Sequence, residues 1–103
     1  MAAKTRCKCA DYDYSDLLEM LKVIAEASRL RIICFLKNKE RCVCEIVEML
    51  GVPPNLASHH LKTLKSIGLL TSLRKGKYIF YKVNNKGVNS FLSQIKLAMG
   101  NWK

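Results

Sequence analysis

The sequence predicts a mainly α-helical domain that carries one β-hairpin, an α+β class with five helices. Three observations point there. Apolar residues recur at three- and four-residue steps in five separate stretches. One late stretch, 69-LLTSLRKGKYIFYKVNN-85, alternates instead with a period of two and is rich in aromatic and branched residues. Glycines and prolines punctuate the joints between these stretches, and neither an internal repeat nor a low-complexity linker interrupts them.

Each element follows in order. Tyr14, Leu17, Leu18, Leu21, Ile24 and Ala25 mark a first amphipathic helix. Ser28 is the expected N-cap of a second, which carries Leu30, Ile33 and Leu36 inward. A charged break from Lys37 to Arg41 precedes a third helix with Ile46, Val47, Met49 and Leu50 apolar. That helix stops at Gly51, a residue suited to the left-handed turn that closes helices. Pro53 and Pro54 cannot continue it, but Pro54 or its neighbour fits the first turn of a fourth helix, where a missing N–H costs nothing. Leu56, Leu61, Leu64 and Ile67 line the inner face of this fourth helix and Gly68 ends it. Two helices joined by a glycine-containing corner make a helix-turn-helix. The hairpin comes next, with Arg74-Lys75-Gly76-Lys77 as its turn and Tyr78, Phe80 and Lys82 alternating with Ile79, Tyr81 and Val83. A basic hairpin tip beside a helix-turn-helix reads as a wing, so the expected architecture is a winged helix-turn-helix. The last helix carries Val88, Phe91, Leu92, Ile95, Ala98, Met99 and Trp102. So much apolar surface at the end of a small domain calls for a cover; the chain's own first helix is one candidate, and the same helices of a second chain, in a homodimer, are the expected one. Residues 1–13 read as a flexible arm and 14–103 as the DNA-binding and dimerisation domain.

Charge narrows the function. The net charge is +10, yet all eight acidic residues lie at or before Glu48; from Met49 onward there are nine Lys or Arg and no acid. Solubility alone would scatter the signs, whereas a cationic half grips a polyanion. Nucleic acid is favoured over a membrane, because no basic amphipathic anchor and no run of about 18 apolar residues is present. The polar start lacks the apolar segment of a signal peptide, which points to the cytoplasm. In a helix-turn-helix, the start of the second helix reaches base edges in the major groove, and a two-fold dimer matches an inverted repeat in double-stranded operator DNA. Asn55, Ser58 and His59 suit base or phosphate contacts there, Lys62 and Lys65 suit phosphates, and Arg74, Lys75 and Lys77 suit an adjacent groove or backbone. His59 and His60 face about 100° apart on a helix and make a poor metal pair; His60 is the one expected to turn inward. An enzyme is excluded by the lack of a carboxylate pair in a plausible cleft, of a nucleophile with an ordered base and of a glycine-rich phosphate loop.

The runs RLRIICFL, CVCEIVEMLG, LASHHLKTLKSIGLL and RKGKYIFYKV together resemble the ArsR/SmtB family of winged-helix, metal-responsive repressors, over roughly residues 15 to 100. The resemblance implies a homodimer that occupies an operator and lets go when an effector binds. Pro53-Pro54 departs from the polar residues usual in the family, so the operator sequence is not carried over.

The resemblance also bears on the five cysteines, which in a reducing compartment point to metal binding or redox sensing rather than structural disulfides. One family site uses Asp, His and Glu on the last helix, but this chain has no His after His60 and no acid after Glu48. Another uses cysteines at the head of the third helix, which Cys42-Val43-Cys44 matches. Arsenic-sensing relatives add a cysteine where Val47 stands here. Cadmium- and lead-sensing relatives recruit thiolates from the N-terminal arm, and Cys7 and Cys9 stand in such an arm, at a spacing that leaves open which of the two binds. Three or four soft thiolates favour Cd(II), Pb(II), As(III), Bi(III) or Hg(II), with Zn(II) as a tetrahedral alternative. Lys4, Arg6, Lys8, Arg41 and a helix N-terminus are expected to hold the thiols ionised. Side chains two apart on a helix point about 200° apart, so Cys42 and Cys44 converge only if Cys42 is extended or the first turn unwinds. Cys34, among Ile32, Ile33, Phe35 and Leu36, reads as a small packed hydrophobe. The alternative function is a thiol redox or persulfide sensor on the same fold.

Overall fold

The computed structural model describes residues 13–100. It contains α1 (Ser15–Ile24), α2 (Ala27–Leu36), β1 (Arg41–Cys42), α3 (Val43–Leu50), α4 (Pro54–Ser66), β2 (Leu70–Lys75), β3 (Tyr78–Val83) and α5 (Asn85–Met99). The predicted five helices and wing are all present, in the winged helix-turn-helix arrangement; Trp102, expected on the last helix, lies outside the described residues. No helix among the described residues is long and apolar enough to cross a membrane.

The helix-turn-helix corner forms as its residue types dictate. Gly51 sits at φ 67°, ψ 30°, the left-handed conformation that ends α3 at least cost for glycine. Pro53 stays extended at φ −59°, ψ 145°, and Pro54 begins α4, where no partner for its nitrogen is needed. Inside, Ile32, Leu36, Ile46, Leu61, Leu64, Leu69 and Leu70 are almost fully buried, so the core lies where α2, α3, α4 and the base of the hairpin meet. Gly87 lets α5 join this packing: a Cβ there would lie 1.8 Å from the Gly68 carbonyl oxygen. Asn84 secures the same approach by donating its side-chain amide to that oxygen at 2.9 Å.

Several sequence expectations need correction. The cap of α2 is Glu26, whose carboxylate accepts the Ser28 backbone N–H at 3.1 Å; Ser28 lies inside the first turn. Leu30 faces outward and Ile32 takes its place in the core, while on α4 Ala57 is buried and Leu56 is exposed. Close approach of α4 to the core favours the small Ala57 over its larger neighbour. The wing turn is shorter than expected, since Arg74 and Lys75 pair with Ile79 and Tyr78 and only Gly76 and Lys77 bridge the strands. Finally, the charged break ends in a strand: Arg41 and Cys42 pair antiparallel with Tyr81 and Phe80, giving a three-stranded sheet in the order β1-β3-β2.

Candidate DNA interface and cysteine pair

On α4, the predicted DNA-contacting residues Asn55, His59, Lys62 and Lys65 are exposed, and Ser58 is half-buried. Lys65 donates to the Ser72 hydroxyl at 2.7 Å, which ties the helix to the base of the wing. Arg74, Lys75 and Lys77 are exposed along the wing. Lys77 hangs over the Tyr78 ring at 5.7 Å, and Lys75 lies 4.8 Å over the Phe80 ring while also pairing with Glu40. That ion pair lowers the Glu40 pKa through the Lys75 hydrogen bond. The two adjacent histidines divide as expected: His60 is only 5% exposed, and His59 stays on the outer side.

Arg29 is a positioning residue that pattern reading missed. Its Nε donates to His60 Nδ1 at 3.1 Å and its Nη1 donates to the Val23 carbonyl oxygen at 3.3 Å. One guanidinium thus ties the end of α1 to the middle of α4 and satisfies the buried imidazole, which would otherwise carry the cost of an unpaired polar group. The only sequence signal was a basic residue in the first turn of α2, where charge complementarity with the helix dipole would favour an acid.

Cys42 resolves the geometric problem of the C-x-C pair. It is the N-cap of α3 and is extended at φ −70°, ψ 150°, while Cys44 is already helical. The two Sγ atoms lie 2.7 Å apart. Glu45 fixes the turn by accepting the Cys42 backbone N–H at 2.9 Å. Arg41 does not serve the thiols as expected. Its guanidinium stacks 4.4 Å over the Phe35 ring and lies 3.8 Å from the Glu45 carboxylate. The Cys44 pKa is raised, first by its hydrogen bond to Cys42 and then by loss of solvent. Lys4, Arg6, Lys8 and the other expected donors, Cys7 and Cys9, lie outside the described residues. Cys34 is exposed, not packed in the core, because it shares the outward face of α2 with Leu30, one helical turn earlier.

The cysteine pair does not stand apart from the cationic surface. Cys42, Cys44, Ser58, Lys62 and Lys77 line one open cleft of about 340 Å³ between the head of α3, α4 and the wing. Its apolar lining includes Val43, Leu61 and Ile79.

Residues 26–72 match the family described as bacterial regulatory protein, arsR family. The HTH-type transcriptional repressor SmtB of Mycobacterium tuberculosis is 40% identical over 65 residues, covering 63% of this chain and 48% of that protein, so the chain spans about half the length of this relative. The cadmium resistance transcriptional regulatory protein CadC of Listeria innocua is 30% identical over 83 residues, 80% of this chain and 70% of the relative. This chain belongs to the arsR family. An ArsR-like transcriptional regulator from Rhodococcus sp. RHA1, with a TM-score of 0.72 at 20% identity over 82% of this chain and 79% of that one, shares the fold. The arsR family consists of transcriptional regulators, not enzymes, which agrees with the sequence reading.

Proposed function

We propose that this chain is a transcriptional repressor that holds an inverted-repeat operator as a homodimer and is released by a soft metal or metalloid ion. The ion would be held by Cys42 and Cys44 together with Cys7 and Cys9 of the arm. The observation that carries this reading is the convergence of two sulfurs at the extended first residue of the helix-turn-helix. Relatives named for cadmium resistance and for arsenical resistance support it. The donor set fits as half of a site: among the described residues no third Cys, His, Asp or Glu completes a cluster, so the remaining thiolates must come from elsewhere. When bound, a soft ion supplies a Lewis-acid centre that ties thiolates into one fixed arrangement.

The chain's own contribution is mechanical and lies at Cys42. This residue ends β1, where it pairs with Phe80 of the wing, and it also caps α3. A displacement at its sulfur is therefore felt by the wing and by the first helix of the helix-turn-helix at once. A coupling of about 1–3 kcal/mol, typical of linked sites, corresponds to roughly 5- to 150-fold weaker operator binding. Dimerisation would use α1 and α5, which leave Leu18, Leu21, Leu92, Leu97 and Met99 exposed. Isolated exposed leucines need no explanation, but this many apolar side chains on two adjacent helices support an interface there.

The test is an anaerobic titration with Cd(II) or Pb(II), following sulfur-to-metal charge-transfer absorbance and operator affinity in the same samples. Absorbance should rise to a stoichiometric endpoint while affinity falls. Cys44→Ser should bind the operator as tightly as the wild type and lose the metal response; retained induction in that variant would move the sensor elsewhere. The closeness of the two sulfurs also supports a second reading, a redox sensor. Two thiols would then give up two electrons and two protons to hydrogen peroxide, forming one disulfide and two waters. A response to peroxide that metal does not produce would favour that reading.

A further inference from the structure

Among the described residues, two side-chain hydrogen bonds join α4 to another element. Lys65 reaches Ser72 near the end of the helix. The other meets the helix in its middle, where Arg29 Nε donates to His60 Nδ1 at 3.1 Å. Because Nδ1 accepts, the neutral imidazole carries its proton on Nε2. The same guanidinium is anchored on the Val23 carbonyl oxygen, one of the last carbonyls of α1, which no later turn of that helix can satisfy. The rest of α4 is seated by Ala57, Leu61 and Leu64, all fully buried. Apolar burial is non-directional, so it leaves small rolls of a helix inexpensive. A guanidinium bonded at both ends opposes them.

Readout of bases is sensitive to such a roll. With side-chain tips about 5–6 Å from the helix axis, a roll of about 10° moves them by about 1 Å, enough to spoil a hydrogen bond confined to about 2.7–3.2 Å. Asn55, Ser58 and His59, the side chains expected to read bases, share one helix with His60 and move with it. Lys62, a flexible stem expected to meet phosphate, absorbs the same displacement. We propose that Arg29 is a specificity-determining positioning residue: through His60 it fixes the roll of α4, and so sets how well the helix discriminates one base sequence from another. The inference rests on the DNA-binding reading of α4 above, and not on metal release. Lysines then supply affinity for any duplex, while Arg29 supplies discrimination without touching DNA.

The probe is the duplex that the wild-type protein enriches from a randomised library, compared with a random duplex of equal length. Arg29→Met removes the donor. His60→Leu removes the acceptor and leaves Arg29, which is half-buried, able to reach water. His60→Gln instead offers Arg29 a side-chain carbonyl oxygen. Folding of each is checked by circular dichroism and thermal melting. In Arg29→Met and His60→Leu the ratio of selected- to random-duplex affinity should fall about fivefold or more, the low end of what one base contact supplies. Their random-duplex affinity and salt slope should match the wild type, because every lysine expected at phosphate remains. His60→Gln should keep most of the ratio. A purely structural role lowers both affinities together with the folded fraction, so an unchanged ratio in His60→Leu would overturn the proposal. A His60→Gln protein that loses as much as His60→Leu would also overturn it, since the histidine would then act without Arg29. Should one of the two removals fail to fold, the other decides against His60→Gln. A failure of the DNA-binding reading looks different, since then the wild-type protein enriches no duplex.

Discussion

The half of the molecule built from α3, α4 and the wing differs from the α1–α5 side in how it disposes of its apolar surface. Ala57, Leu61, Leu64, Leu69 and Leu70 are all essentially sealed within one chain. On α1 and α5 the same kind of residue is left outside. Leu17 and Phe91 are the only buried side chains described on these helices, whereas Leu92, Leu97 and Met99 are each more than half exposed. The first half closes a core of its own although Leu56 and Leu73 stay exposed, whereas the α1–α5 side, the proposed dimer surface, buries one side chain on each helix. A DNA-reading element must hold its shape before it meets the duplex, while an assembly surface gains its stability only on association.

That contrast can be broken or sharpened by substitution. Leu92→Glu places a charge on the open α5 face and should convert a dimer to monomers in sedimentation. Operator affinity should then fall by about 10²- to 10⁴-fold, the gain normally supplied by linking two half-sites. A variant that stays dimeric with full affinity would show that α5 is not the interface. Leu61→Ala, in the sealed half, should cost about 2–5 kcal/mol in denaturant or thermal unfolding. A change below about 0.5 kcal/mol, the range of ordinary surface sites, would mean that this core is not as complete as its burial indicates.

Smaller effects lie on the cationic surface. Lys77→Ala should weaken DNA binding across sequences and lower the salt slope by about one, without changing which base is preferred. Glu40 gives the smallest effect. Its carboxyl titrates below its ordinary value of 4.5 because Lys75 stabilises the charged form. A lowered acid pKa means that the contribution to stability is fully present above 4.5 and is lost as pH falls through the lower folded value. Melting followed across that acid range should show the Glu40→Gln protein less pH-sensitive than the wild type. At neutral pH the same variant frees Lys75 and should bind DNA slightly more tightly.

Much of the fold was legible because the strongest local signals agreed with one another. Gly51, Pro54 and Gly68 marked the helix-turn-helix, and the alternation after Lys77 marked the wing. Periodicity alone misplaced individual residues: Leu30 and Leu56 were expected inside and are outside, Cys34 was expected packed and is exposed. Spacing defines a stripe on a helix, but which edge of the stripe meets the core depends on how closely the neighbouring helix approaches. The two-residue strand β1 had no sequence signal, because its pairing with Tyr81 and Phe80 joins segments far apart in the chain.

The amino-acid order by itself determined the element types, the concentration of positive charge after Met49 and the presence of a C-x-C pair, since each depends only on neighbouring residues or on counting them. The tertiary structure decided that Cys42 stays extended, that its sulfur meets that of Cys44, and that Lys62 and Lys77 share their cleft. Those facts depend on β1 docking against β3 and on α3 packing beside α4. Local preferences choose a helix or a strand, but only long-range packing chooses which chemical groups become neighbours.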